Sequence, residues 1–410
     1  MSEIKHFISQ PRNTRILLLT SFLYAFVLPI IDIFVAAYIM RNSADVARVV
    51  TYQLMVYTGI PFTFWINGYL LNKVSPGVLY AFGMLLSGIS MLVMTSLPTS
   101  LDYSGIAVAG LIMGMSFGFF WANRDYLVLI STNDANRNYY YGLETFFNTF
   151  SFVIIPASVG WFIQSSKNAV WVDGINGAYK IVIYIVILIT FIASVIITRG
   201  KYEKPGKSRF VFFKYESLWY KMLVVASMKG LVQGFIVTAP AMLIMKLVGG
   251  EGALGTIQSM SSLLTALLVY ILGRRARPEH RMALYAVAVS LFVIGAMINS
   301  VFFNPLSVIV FLLIMIVARP LFDLAYFPLQ MKIIDYLKVR ENRNEYSYIF
   351  SHECGLYIGR SLGCGTFILI AYTISDNAAL IYTLPLVTVL QSLSYSILKN
   401  ITKEIARKET

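Results

Sequence analysis

The sequence predicts an all-α polytopic membrane protein of twelve transmembrane helices in two six-helix parallel repeats. Three observations predict it. Of 410 residues, 58% are hydrophobic and only 13% charged, and the mean hydropathy is +0.70, far from the composition of a soluble domain. The apolar residues fall in long runs separated by short polar stretches, and a helix needs about 20 residues to cross the hydrocarbon core. The longest polar connection, RGKYEKPGKSRFVFFK from Arg199 to Lys214, divides those runs six and six.

Apolar stretches bounded by charge, Gly or Pro place the spans at residues 15–40, 47–71, 77–97, 104–130, 140–164 and 179–198, then at 218–246, 251–272, 282–303, 305–330, 346–373 and 377–398. The expected organisation is an N-terminal bundle over 1–198, a cytoplasmic linker over 199–217, a C-terminal bundle over 218–398 and a cytoplasmic tail over 399–410. The first run contains Pro29 and Asp32 and has no small-residue cleavage site, so it reads as a retained span and not as a signal peptide. Twelve is even, which puts both termini on one side.

The basic residues test that topology, because short cytoplasmic loops carry the positive excess. Of 33 Lys and Arg, only Arg41, Arg48, Lys167, Lys180 and Lys246 fall on the side opposite the termini. Arg124, Lys221, Lys229, Arg319 and Arg360 lie in spans or at their ends, and the remainder share the side of the termini. Both termini are therefore expected in the cytoplasm, with the chain in a bacterial inner membrane. The net charge of +13 is spread over loops and tails facing the anionic leaflet and does not indicate nucleic-acid binding.

Enzyme signatures are weak. Cys354 and Cys364 are ten residues apart in one helical segment, on different faces, which excludes a disulfide framework and a cysteine metal site. GMSFG at 114–118 fits the hydrolase nucleophile pattern but sits mid-span, without a strand-to-helix elbow. GKYEKPGKS at 200–208 has the wrong glycine spacing for a phosphate loop and follows no strand. No metal or cofactor is expected, and the chain reads as a non-enzyme.

Similarity between the halves suggests duplication. NRNYYYGLE (Asn136 to Glu144) follows the fourth span and NRNEYSYIFSHE (Asn342 to Glu353) follows the tenth; glycines 110, 114 and 118 in span four resemble glycines 355, 359 and 363 in span eleven. Between spans two and three the chain reads GYLLNKVSP (Gly68 to Pro76), and the corresponding loop of the second half reads GRRARPEHR (Gly273 to Arg281). On these features, and over essentially its whole length, the chain resembles the major facilitator superfamily of secondary transporters. Gly68 and Lys73 match that family's loop pattern, whereas Asn72, Ser75 and Pro76 depart from it at the Asp, Gly and first basic positions. The resemblance implies that spans one, four, seven and ten line a central cavity, helped by two, five, eight and eleven, with three, six, nine and twelve peripheral.

The ionisable residues select the same spans without the family. A charged side chain at a span centre costs about 2.5–3.5 kcal/mol on insertion scales, so its position marks an interior face or a water-filled path. Spans three, six, nine and twelve hold none between their ends. Asp32 lies in span one, three residues after the helix-kinking Pro29, and reads as a proton-carrying or substrate-binding carboxylate, or as a solvated residue near the outer surface. Arg124 and Glu144 lie at similar depth in spans four and five and are suited to pair, as a gate, a substrate contact or a static bridge, leaving Asp125 for a different partner. Lys229 and Gln233 share a face of span seven. Arg319 and Asp323 have the same spacing in span ten, where an internal pair is open to them. Span eleven adds His352, Glu353 and Arg360; the last two, roughly 10 Å apart along the axis, are expected to seek partners on span ten, Arg319 for Glu353 and Asp323 for Arg360. Trp65 with Asn67 and Trp121 with Asn123 offer a ring and an amide near the inner ends of spans two and four, for a polar ligand or for helix packing.

The expected function is secondary active transport of a small solute by alternating access, as proton-coupled uptake of a polar substrate, sugar-like or anionic. The resembled proton–sugar symporters place an Arg, His and acid cluster in the C-terminal half, as here. A carboxylate near an arginine and a histidine has the chemistry for a proton that comes and goes. Proton-driven efflux or flipping of an amphiphile is the alternative; span five reads FFNTFSFVIIPASVG, without the Gly-Pro-rich motif of resembled exporters. A membrane sensor ranks third. The expected partners are the solute, protons and the lipid bilayer, with the chain a monomer.

Overall fold

The computed structural model describes residues 3–98, 101–132, 134–168, 172–204, 211–275, 278–343 and 345–409. Among them, twelve helices are long and apolar enough to cross a membrane: Arg12–Ser43, Val46–Leu70, Pro76–Ser96, Tyr103–Ser131, Tyr139–Ser165 and Gly174–Ile197, then Ser217–Val248, Glu251–Leu272, Arg281–Phe302, Pro305–Glu341, Glu345–Thr373 and Asp376–Ile405. These are spans one to twelve below. Residues 205–210 of the expected linker, and 276–277 of the loop after span eight, lie outside the described residues.

Two spans outrun their apolar cores. Span ten continues to Glu341 because its last three turns are amphipathic, burying Ile333, Ile334 and Leu337. It stops at Asn342, which takes the left-handed conformation (φ 48°) and gives its N–H to the Lys338 carbonyl. The expected tail is helical from Ser394 to Glu409 and buries Leu398, Ile401 and Ile405. Lys221 of span seven pairs with Glu404 on this helix at 2.7 Å.

The chain forms two compact units. The first comprises Met1–Ala44, Met55–Lys207 and Gly249–Ser259; the second comprises Asp45–Leu54, Ser208–Val248 and Met260–Thr410. The boundary thus runs through spans two and eight as well as the linker. In the first unit, serine hydroxyls tie spans three and four together: Ser116 donates to the Gly83 carbonyl and Ser90 to that of Ala109, both at 2.7 Å. Gly114 lies against Val56 and Gly59 of span two, leaving no room for a Cβ. In the second unit spans seven and eleven make the closest approach, since a side chain at Gly359 would enter the Ser227 carbonyl and one at Gly230 the Leu356 carbonyl.

The glycine series of spans four and eleven therefore serve different neighbours, spans two and seven, which are not counterparts in a six-plus-six repeat. A better sign of duplication lies in spans one and seven. Span one is α-helical over Arg12–Ala25, breaks ahead of Pro29, and becomes π-helical over Ile30–Phe34. Span seven is α-helical over Ser217–Ile236, breaks at Val237 and Thr238 ahead of Pro240, and becomes π-helical over Ile244–Val248. Proline removes a backbone donor and π-turns mark discontinuities in a helix, so counterpart spans carry the same kind of interruption.

Candidate functional site

The second unit gathers charged side chains around span seven. The Lys229 Nζ lies 3.7 Å from Asp323 Oδ1 on span ten. It also sits 4.1 Å from the ring centroid of Tyr326, 3.9 Å from that of Phe327 and 5.5 Å from that of Phe322. Aromatic faces attract a cation electrostatically, so the three rings partly replace the water this ammonium has lost. The lysine side chain is 11% exposed, whereas that of Asp323 is 52% exposed. The carboxylate therefore faces open space while its partner is embedded.

That space is a cavity of about 220 Å³ lined by Lys229, Gln233, Arg319, Asp323 and Gln391, with Val232, Ile236, Phe292 and Phe322 as its apolar surface. Four spans contribute: seven, nine, ten and twelve. Gln391 of span twelve is 2% exposed, and its Oε1 is buried without a hydrogen-bond partner.

Behind the cavity, Arg360 of span eleven donates from Nε to Gln233 Oε1 at 3.1 Å and from Nη1 to Glu353 Oε1 at 2.6 Å. Small residues permit this. Gly234 lies against the Arg360 backbone and Gly363 against the Leu231 carbonyl, so the two helices touch along their main chains. Arg360 and Glu353 pair with each other, contrary to expectation. The axial separation of their backbones is real, but two long side chains on one helix face reach along it and meet midway. Asp323, expected to serve Arg360, pairs with Lys229 instead. His352 and Tyr326 form a separate buried contact, Nε2 to OH, at 2.6 Å.

A second cluster lies in the first unit. Arg124 grips the Glu144 carboxylate with both Nε, at 3.1 Å, and Nη2. Tyr140 donates to the same carboxylate at 3.2 Å, and Ser21 of span one meets the Tyr140 hydroxyl at 3.2 Å. Asp125, expected elsewhere, takes the free side of the same guanidinium, Nη1 to Oδ1 at 2.6 Å. Its backbone points it away from Glu144, and the planar fork serves two carboxylates in different directions. Asn67 and Asn123 are fully buried and joined to each other, Nδ2 to Oδ1, at 2.7 Å. Trp65 and Trp121 are 44% and 41% exposed. Asp32 falls inside the π-helical turn of span one and is exposed.

Sequence reasoning missed a third cluster. Arg41, at the end of span one, binds the Glu251 carboxylate through both Nε and Nη2. Tyr179 of span six donates to that carboxylate at 3.2 Å. Glu251 is fully buried. The two charged residues sit at helix ends and read as loop charges, with no sequence spacing to relate them. Among the described residues no group of His, Cys, Asp and Glu is arranged to hold a metal ion.

No protein-family model matches the chain. The uncharacterized protein YqgE of Bacillus subtilis (strain 168) is 23% identical over 388 residues, covering 92% of this chain and 87% of the relative. An uncharacterized protein in the sodM 3′ region of Geobacillus stearothermophilus is 24% identical over 158 residues, covering 38% of this chain and 73% of the relative. Among solved structures, the nucleoside transporter NupG superposes with a TM-score of 0.70 at 13% identity, covering 96% of this chain and all of that one (100%). A POT family transporter in complex with a thioalcohol-conjugated peptide gives 0.68 at 12% identity, covering 96% and 97% of the two chains. A bacterial homologue of the iron transporter ferroportin in an inward-facing state gives 0.65 at 14%, covering 94% and 99%. At such identities the likeness is one of fold.

Proposed function

We propose that this chain, which has the twelve-span fold of the major facilitator superfamily, is a secondary transporter that takes up a small polar solute together with protons. One observation carries the reading. An embedded lysine and a carboxylate that faces a cavity of about 220 Å³ form an ion pair across two spans, at 3.7 Å. A charged pair inside a bilayer is costly unless it is used, and a carboxylate open to the cavity is accessible to both a proton and a solute. Arg360 and Glu353 hold the neighbouring amide, Gln233, in place. The distribution of Lys and Arg supports cytoplasmic termini and residence in a bacterial inner membrane. Efflux of an amphiphile calls for wide apolar walls, and this cavity presents three charged side chains and two amides.

The test is proton movement in proteoliposomes that contain an internal pH dye, with sugars, organic anions and cationic dyes added outside in turn. The expected result is internal acidification with one solute class, abolished in Asp323→Asn and Glu353→Gln and reduced less in Glu144→Gln. Silence across the panel with solute binding intact would refute symport and leave a uniporter or a sensor. Equal, mild effects of all three substitutions would remove the coupling role of these carboxylates.

A further inference from the structure

The charges around the cavity do not cancel. Lys229, Arg319 and Arg360 face Asp323 and Glu353, an excess of one positive charge when all are ionised. Tyr326 and His352 also lie in this cluster, hydrogen-bonded to each other at 2.6 Å, and Tyr285 packs against Phe322. A cation entering would meet that excess, whereas an anion is attracted by it. Lys229 is the group with most to gain from an anion, because its present counter-charge is not in tight contact at 3.7 Å and three aromatic rings lie within 5.5 Å of its Nζ.

Gln391 adds a second requirement. Gln391 lines the cavity, its Oε1 is buried with no hydrogen-bond partner within the protein, and a buried polar atom left unmet costs about 1–3 kcal/mol. A solute with a hydroxyl or N–H group relieves that cost. Phe292 and Phe322 provide the surface for a carbon skeleton. The volume of about 220 Å³ lies below the roughly 300–1,000 Å³ of drug-sized sites and restricts the solute to a small one.

We propose that the substrate is a small organic monoanion bearing a hydrogen-bond donor, a hydroxy acid or a chemical equivalent, whose carboxylate replaces Asp323 as the counter-charge of Lys229 and whose donor meets Gln391. The inference rests on the symport reading of the same cavity. As the anion arrives, Asp323 is released from Lys229 and takes one proton supplied by the bathing solution and relayed through cavity water, which is left unchanged, forming the O–H bond of a neutral carboxyl. One anion and one proton then leave the net charge of the cluster unchanged. The empty and loaded protein therefore carry the same charge across the bilayer, and neither has to drag an extra charge through a low-dielectric interior.

The experiment measures equilibrium binding of two matched sets to the full-length protein in detergent. The larger set is mandelate, mandelamide, phenylacetate and 2-amino-1-phenylethanol; the smaller is lactate, lactamide, propionate and 1-amino-2-propanol. In at least one set the hydroxy acid is expected to bind about tenfold or more tighter than its amide and its amine. Lys229→Gln should abolish that preference, while Asp323→Asn should keep anion binding and remove its pH dependence. Gln391→Leu, which leaves every charge in place, should erase the advantage of the hydroxy acid over the deoxy acid. Binding of a neutral or cationic member as tight as the hydroxy acid, or no anion binding in either set, overturns the proposal. Proteoliposome flux separates the two readings. A neutral solute that acidifies the interior refutes the anion and leaves symport standing, whereas anion flux without acidification refutes symport and leaves the anion.

Discussion

Glu251 offers the sharpest test of how the first unit is held together. Its carboxylate is fully buried and accepts both Nε and Nη2 of Arg41 and the hydroxyl of Tyr179. Close backbone packing accompanies it. Gly160 of span five lies against the Glu251 carbonyl and Gly255 against that of Pro156, while Trp161 donates to Thr256 and Ser259 accepts from the Ala157 N–H, each at 2.9 Å. Glu251→Gln keeps the shape but removes the charge from a charge-assisted pair. Hydrogen bonds to charged groups contribute about 1.5–3 kcal/mol, and loss of one member of a fully buried pair costs about 3–5. The arginine is 30% exposed, which favours the lower range, about 1.5–3 kcal/mol. Local opening of residues 249–259 should then rise roughly ten- to a hundredfold, read as faster amide hydrogen exchange in that segment. Arg41→Gln should have a similar effect, and the double variant should be little worse than either single one, since both remove the same interaction. Unchanged exchange over 249–259 in both single variants, or strictly additive effects, would refute the idea that this ion pair anchors span eight to spans one and six.

The glycine contacts predict a contrast between two positions. Gly359→Ala should lower the thermal midpoint by several degrees and reduce the yield of folded protein, because its Cβ would strike the Ser227 carbonyl, a backbone atom that cannot swing away. Gly142→Ala, where nothing lies within 4 Å, should be neutral or slightly stabilising by helix propensity, up to about 1 kcal/mol, and equal effects in a melting assay would contradict the packing argument. Arg124→Ala leaves the Glu144 carboxylate buried with only the Tyr140 hydroxyl and should cost about 3 kcal/mol. Asp125→Asn, whose side chain is 70% exposed, should cost less than about 1 kcal/mol; both are checked by thermal unfolding in detergent.

The spans were legible because a bilayer imposes one rule, that every crossing be a long apolar helix, and composition alone reports it. The ends of spans ten and twelve were not legible on that criterion. They leave the apolar phase as amphipathic helices whose stability comes from Ile333, Ile334, Leu337, Leu398, Ile401 and Ile405 packing inward, a pattern of period and not of mean hydropathy. The charged residues of the candidate site could be found one by one, since each is expensive in a span. Their pairing could not. Helix rise separates the backbones of Arg360 and Glu353 while side-chain reach along the helix closes the gap, and one guanidinium, that of Arg124, serves both Glu144 and Asp125. Gln391 and Glu251 escaped for another reason: an uncharged amide in a peripheral span and a charge at a helix end both look ordinary until tertiary structure buries them.

The repeat makes the same point at a larger scale. Matching glycines suggested duplication, yet a glycine records only that some backbone comes close, and span four meets span two while span eleven meets span seven. The interruptions of spans one and seven are more demanding, because each leaves helical hydrogen bonds to be satisfied by other means. Each π-helical segment carries one charged residue at its third position, Asp32 in IIDIF and Lys246 in IMKLV, and both side chains are exposed. The two broken helices thus carry opposite charges at matching places. In span seven the break begins one residue beyond Ile236, itself in the wall of the cavity that contains Lys229 and Gln233. The interruption therefore lies next to the residues proposed to bind solute.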